Sequence, residues 1–182
     1  MRKLTDYITV FKEELSVENC DYIIDKFKTS DLWIPTLTKG DVDQNKDTSE
    51  YRVCETIPIS ETESAKDVDD ILYSTFSRCI QNYLKIHKFL KITKDSGYHI
   101  LRYNEGGKYG EHVDDNIEDH RMVSFVAILN DDFKGGELKF FGDYTPNLEK
   151  GDIIAFPSSF MYPHEVTPVI DGVRYSIVTW FV

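Results

Sequence analysis

Apolar positions recur along this chain at two different spacings, and the change from one to the other falls near residue 96. In the first half, Cys20, Ile23, Ile24 and Phe27 return every three or four residues and so share one helical face, with Ser16 placed to cap the free amides at its start. A second, longer helix is expected after Ser60, carrying Val68, Leu72, Phe76, Cys79, Ile80 and Tyr83 on one stripe and charges elsewhere. Between them, Thr36 to Arg52 (TLTKGDVDQNKDTSEYR) is polar and aperiodic, the pattern of a long loop that serves as a lid or binding loop. Its Asp41, Asp43, Asn45 and Asp47 imitate the start of a calcium loop. Lys46 stands where that loop needs glycine and Arg52 where it needs a bidentate Glu, so the stretch reads as a solvated loop.

From Ser96 onward, short runs rich in Val, Ile, Phe, Tyr and Thr succeed one another: Tyr98 to Tyr103, Met122 to Leu129, Glu137 to Phe141, Ile153 to Phe156, His164 to Val169 and Arg174 to Val182. Gly106-Gly107, Gly135-Gly136, Gly151 and Pro163 punctuate them. This spacing leaves no room for crossover helices, which predicts antiparallel strands closing into a sandwich or barrel. The expectation is a single domain over 1–182 of α+β, mainly β class. Residues 1–95 give helical support and a lid-like loop, and residues 96–182 give the β core.

The 182 residues suffice for one compact core, and 11 Phe, 11 Tyr and 2 Trp belong to a folded protein rather than a disordered one. A net charge of -11 argues against nucleic acid as a partner, because phosphate-backbone affinity comes largely from Lys and Arg displacing counterions. Cys20, Cys54 and Cys79 are odd in number and lack CxxC spacing, so neither a disulfide framework nor a zinc knuckle is indicated. No stretch has the apolar length of a signal peptide or a membrane span. These features give the expectation of a cytoplasmic protein without a membrane partner.

Five histidines are the first candidates for chemistry. His87, on the polar side of the long helix, His99, alternating within a strand, and His120, in a charged turn, read as surface or core residues. His112 is followed two residues later by Asp114, a spacing that points both side chains to one face of an extended chain. With 32 acidic residues in the chain, roughly one such match arises by chance, so the pair needs support from elsewhere. His164 supplies it by opening a strand after the constrained turn PSSFMYP. Two imidazoles and one carboxylate on one face of a metal leave the opposite positions open, as in non-haem iron oxygenases. Zinc accepts similar ligands, but the helical HExxH of zinc proteases is absent. Arg174 lies ten residues beyond His164 with Ser176 on the same strand face. A guanidinium inside a barrel needs an anion, and its planar fork suits a carboxylate, either a ligand's or that of an acidic side chain.

The stretch from Tyr103 to Asp114, YNEGGKYGEHVD, resembles the strand and turn entering the iron site of prolyl 4-hydroxylases, members of the Fe(II)/2-oxoglutarate-dependent dioxygenases. LNDDFKGGELKFF, LEKGDIIAFPSS, HEV and RYSIVTWFV follow in that family's order, so the resemblance runs from about Ile100 to Val182. It implies a double-stranded β-helix (jelly roll) braced by the N-terminal helices, with His112, Asp114 and His164 as metal ligands holding Fe(II). It sets Arg174 against the far carboxylate of 2-oxoglutarate, with Ser176 helping and Tyr103 lining the co-substrate pocket. Tyr109 and Trp180 become pocket positions. At Ile128 the chain departs from the tyrosine that many prolyl hydroxylases carry, which removes one donor to 2-oxoglutarate.

The implied reaction consumes O2 and 2-oxoglutarate, releases succinate and carbon dioxide, and hydroxylates a C–H bond, with ascorbate as an accessory reductant. A carboxylate at Asp114 favours hydroxylation over halogenation. A prolyl residue in a peptide or protein is the implied substrate. Other readings are a hydroxylase of a different residue or small molecule, a cupin-like metal protein doing hydrolysis or isomerisation, and a binding module without turnover.

Overall fold

The computed structural model describes residues 2–36, 51–115 and 118–182, and every structural statement below concerns these. Two α-helices, α1 (Val17–Phe27) and α2 (Lys66–Ile86), are joined by thirteen short strands. The strands are β1 (Thr9–Phe11), β2 (Ile34–Pro35), β3 (Arg52–Val53), β4 (Glu55–Pro58), β5 (His99–Tyr103), β6 (Lys108–His112), β7 (Val123–Ile128), β8 (Lys134–Gly135), β9 (Leu138–Phe140), β10 (Ile153–Pro157), β11 (His164–Val166), β12 (Val169–Asp171) and β13 (Arg174–Phe181).

All pairings are antiparallel. A major sheet runs β1-β10-β7-β13-β5-β4-β2 and a minor one β3-β6-β11-β9, with β12-β8 as a small third ribbon. The two principal sheets enclose one apolar interior, while the helices pack on the outer face of the major sheet. This is the jelly roll with helical bracing that the resemblance implied.

Period-two alternation explains how one sheet serves both layers. Along β13, Tyr175, Ile177 and Phe181 join the helical layer, whereas Val178 and Trp180 belong with the interior between the sheets. Along β7, Val123, Phe125 and Ala127 face the helices, and Val126 and Ile128 face inward. With both faces covered, β7 is buried throughout, which is why its sequence is apolar apart from Ser124.

Ser16 caps α1 as expected, its Oγ accepting from the Asn19 amide at 3.2 Å, and Cys20, Ile23 and Phe27 are buried. The expected stripe on α2 is also buried. That helix, however, starts at Lys66 rather than directly after Ser60, because two 3-10 turns, Ile59–Glu61 and Glu63–Ala65, intervene. Ser60 instead accepts from the Tyr98 amide and donates to Asp69, tying the turn to the sheet.

Two further differences have physical causes. The first half contributes β1 to β4 as well as helices, runs too short for an alternation to register. The run from His164 to Val169 is two strands in different sheets, divided at Thr167-Pro168, since Pro168 has no amide for a ladder. Most of the expected loop from Thr36 to Arg52, including the calcium-loop mimic and the lid role, lies outside the described residues.

Candidate active site

β5 ends at Tyr103 in the major sheet, and β6 begins at Lys108 in the minor one. The turn between them crosses from sheet to sheet, closed by the Gly107 amide donating to the Asn104 carbonyl at 2.7 Å. Gly106 adopts φ +78° there, a left-handed conformation that glycine takes without strain. β6 then pairs with β11 so that His112 lies opposite His164, while Tyr109 lies opposite Val166. Gly110 and Glu111 on β6 thus stand opposite Glu165 alone on β11, a bulge that sets the Tyr109 ring onto the His112 ring, 3.5 Å between centroids and 12° between planes. Gly110 is required in this bulge, since a Cβ there would sit 2.5 Å from the Tyr51 ring.

His112 and His164 are oriented alike. Their Nδ1 atoms lie 2.8 Å from the Gly110 carbonyl and 3.0 Å from the Tyr162 carbonyl, each two residues earlier in the chain. Donation from Nδ1 to these carbonyls assigns the protons there and leaves both Nε2 lone pairs free. Each Nε2 lies 3.6 Å from a different oxygen of Asp114. The donor atoms of the three residues all fall within 4.8 Å of one another, a convergent nitrogen and carboxylate set able to hold one metal ion.

Burial, opposed by Asp114, takes the His164 imidazole down to about 4, so it is neutral and available as a ligand. Burial by itself would raise the Asp114 carboxyl. The neighbouring His164, with His112 and the nearby Ser124, reverses this, holding it well below the usual carboxylate range. Ser124 Oγ in turn lies 2.8 Å from Ser158 Oγ, and the Ser158 carbonyl accepts from the Asp115 amide at 2.9 Å. Arg121 lies over Trp180 at 3.8 Å and is 3.4 Å from the Asp114 carbonyl. Sequence reasoning missed Ser124, Ser158 and Arg121. Ser124 was hidden in the apolar run of β7, and its one signal is a polar residue at an inward position.

Arg174 begins β13 directly opposite Tyr103 on β5. The guanidinium is 2% exposed, donates to Ser176 Oγ at 2.8 Å and sits 5.2 Å from the Tyr103 ring centroid. Among the described residues no carboxylate forms an ion pair with it. A buried cation without an anion is costly, so the site is built for a ligand that brings one. A cleft of about 530 Å³ lined by Ile128, Gly136, Leu138 and Leu148, among others, reaches Arg174, although the three metal-set residues do not line it. Tyr103, 1% exposed, has its phenol pushed up by burial, with Cys54 nearby adding to the shift.

The other expectations separate clearly. His87 stacks on Tyr7 and meets Tyr83 at a tilt, and His99 lies against Trp180. Neither they nor His120 belong to the convergent set. Trp180 packs against the interior at the edge of the site.

Residues 98–182 match the family model of the 2OG-Fe(II) oxygenase superfamily. This stretch takes in the whole β-rich part of the chain from β5 onward and supports a 2OG-Fe(II) oxygenase. A PKHD-type hydroxylase of Rippkaea orientalis is 32% identical over 163 residues, covering 84% of this chain and 64% of the relative. Another from Acaryochloris marina is 41% identical over 112 residues, 56% of this chain and 50% of the relative. The chain thus spans less than two thirds of the length of these curated relatives. The fold is shared with a Trichoplax adhaerens prolyl hydroxylase solved with a hypoxia inducible factor peptide, at a TM-score of 0.79 and 20% identity, covering 97% of this chain and 84% of that one. A Pseudomonas putida prolyl-4-hydroxylase shares it at 0.70 and 21%, covering 96% and 91%.

Proposed function

We propose that the chain is an Fe(II)- and 2-oxoglutarate-dependent dioxygenase that hydroxylates a prolyl residue in a peptide or protein, releasing succinate and carbon dioxide. The observation that carries this reading is the pairing of a convergent His112, Asp114 and His164 set with an interior Arg174 that has no carboxylate partner among the described residues. The first suits iron(II), and the second suits the far carboxylate of a dicarboxylate co-substrate.

When bound, the iron and 2-oxoglutarate together supply the oxidising chemistry that activates O2. The chain's residues do the rest. His112, Asp114 and His164 hold the metal from one side. Arg174, steadied by Ser176, neutralises the co-substrate's far end, and Tyr103 walls its pocket. Ser124 and the two backbone carbonyls fix ligand orientation, which keeps the donor atoms aimed at one point. Phe140 and Phe156, both fully buried, lie against His164 and exclude water from its side.

Support for a peptide substrate comes from the structural neighbour solved with a peptide, and for proline from the neighbours that are prolyl hydroxylases. Ascorbate would serve as the reductant that keeps the metal in its ferrous state. The test incubates purified protein with Fe(II), 2-oxoglutarate, ascorbate and a panel of proline-rich peptides, read by mass spectrometry. A gain of one oxygen on proline is expected. A gain on another residue would retire the prolyl assignment while keeping the dioxygenase.

A further inference from the structure

Resting on that reading, we propose that Phe160 and Met161 form a specificity subsite that takes an apolar side chain of the peptide close to its hydroxylated residue. Both lie in the turn between β10 and β11, Ser158 to Pro163 (SSFMYP). Each end of this turn is tied to the metal set. At the first, the Ser158 carbonyl accepts from the Asp115 amide at 2.9 Å, directly after Asp114, and Ser158 Oγ meets Ser124 Oγ. At the second, the Tyr162 carbonyl lies 3.0 Å from His164 Nδ1. The Tyr162 amide closes the turn by donating to the Ser159 carbonyl at 2.9 Å, which leaves Phe160 and Met161 at its crown, beside the site that its ends support.

The composition of the crown runs against its position. Turns favour Gly, Pro, Asn, Asp and Ser at such places, yet here a Phe is 79% exposed and a Met 47%. Single exposed apolar residues are ordinary, whereas grouped ones mark a surface that meets a partner. The group continues on the flanking segments. Val113, between His112 and Asp114, is exposed, as is Met122, whose carbonyl accepts from the Ser158 amide at 3.1 Å. No charged residue stands between Phe156 and His164, although 29% of the chain is charged. A peptide reacting at the metal carries its neighbouring residues about 3.5 Å apart along the chain, so one within a few positions reaches this ledge. The unbranched Met161 side chain adapts to the shape of what lands on it. Four side chains fall well short of the roughly 800 Å² per partner that a stable dimer buries, which favours a peptide over a second copy of the chain.

Matched peptides test the subsite. Each carries a central proline, and at one of the two positions before or after it Leu is exchanged for Ser. Affinity for the Mn(II)-loaded protein with 2-oxoglutarate is measured by calorimetry, which needs no turnover. At one position the Leu peptide is expected to bind about tenfold tighter than its Ser twin, as for an apolar side chain leaving water. That ratio should collapse towards one in a variant combining Phe160→Ser and Met161→Ser, and persist in Phe160→Leu. It should also persist in Phe89→Ser, which removes a fully exposed Phe just beyond α2. The double variant alters exposed side chains only, so it should fold and keep its affinity for Mn(II) and 2-oxoglutarate. No Leu preference at any position, or a preference that survives the double variant, overturns the proposal. A dimer of the unmodified protein that the double variant breaks, seen by light scattering, also overturns it by making the ledge a contact between copies. If 2-oxoglutarate is not turned over at all, the dioxygenase reading fails independently, and the peptide ratios still decide the subsite.

Discussion

His112 and His164 are cross-strand partners on β6 and β11, and each is tied through Nδ1 to the carbonyl two residues earlier in its own chain. Equivalent local hydrogen bonds thus aim two Nε2 atoms at the same carboxylate, Asp114, from opposite strands. The site is preorganised by backbone, which costs no side-chain partner.

Ser124 helps to hold the Asp114 carboxyl low and is itself tied to Ser158, so Ser124→Ala, a small change in volume, should lower metal affinity by about 10-fold or more, as is usual when the support of a ligand is lost. Calorimetric titration with Mn(II) measures it. An unchanged affinity would show that Ser124 only packs.

Arg174→Met should raise the KM for 2-oxoglutarate by about 10- to 100-fold, since a hydrogen-bonded charge contact contributes roughly 1.5–3 kcal/mol. Ile128→Tyr should act in the opposite direction by restoring a donor at a residue that lines the cleft reaching Arg174. Initial rates at varied 2-oxoglutarate check both.

Phe76 is fully buried between Tyr98 and Phe125, joining α2 to the major sheet. Phe76→Ala should cost ~3–5 kcal/mol of stability. Urea unfolding followed by tryptophan fluorescence measures the loss. Because the helices lie on the outer face of the sheet, the metal affinity of the folded variant should remain unchanged.

Burial pushes the thiols of Cys20 and Cys79 up from 9.0 to about 11 and about 12. Unfolded thiols ionise above pH 9 while these stay protonated, so their contribution to stability is complete below pH 9 and is lost as pH rises towards 11–12. Denaturant melts at pH 8 and pH 10.5 should show the decline, and Cys20→Ala with Cys79→Ala should flatten it. Alkylation of either cysteine in the native protein at pH 8 would contradict their burial.

Much of this was legible in the sequence, for reasons that differ by residue. The α1 and α2 stripes and the long strands β7 and β13 announce themselves because burial on a fixed face imposes a period. The spacing of His112 and Asp114 and the charge of Arg174 in an apolar strand were visible, but it took the family resemblance to join them with His164 into one site. What stayed hidden depends on contacts between distant segments. The bulge that stacks Tyr109 on His112 is a matter of register between β6 and β11. Ser124 reaches Asp114 only once β7 lies beneath the β6 turn. Arg52 meets Tyr109 through the pairing of β3 with β6, two residues of ladder too short to show a period.

The most direct test of the whole account is conversion of 2-oxoglutarate to succinate by the purified protein with Fe(II) and ascorbate, beside His112→Ala and Arg174→Met. The account expects iron-dependent succinate from the unmodified protein, none above background from His112→Ala, and conversion by Arg174→Met that recovers at high 2-oxoglutarate. Equal conversion by the unmodified protein and His112→Ala, or none by either with proline-rich peptides present, would contradict it.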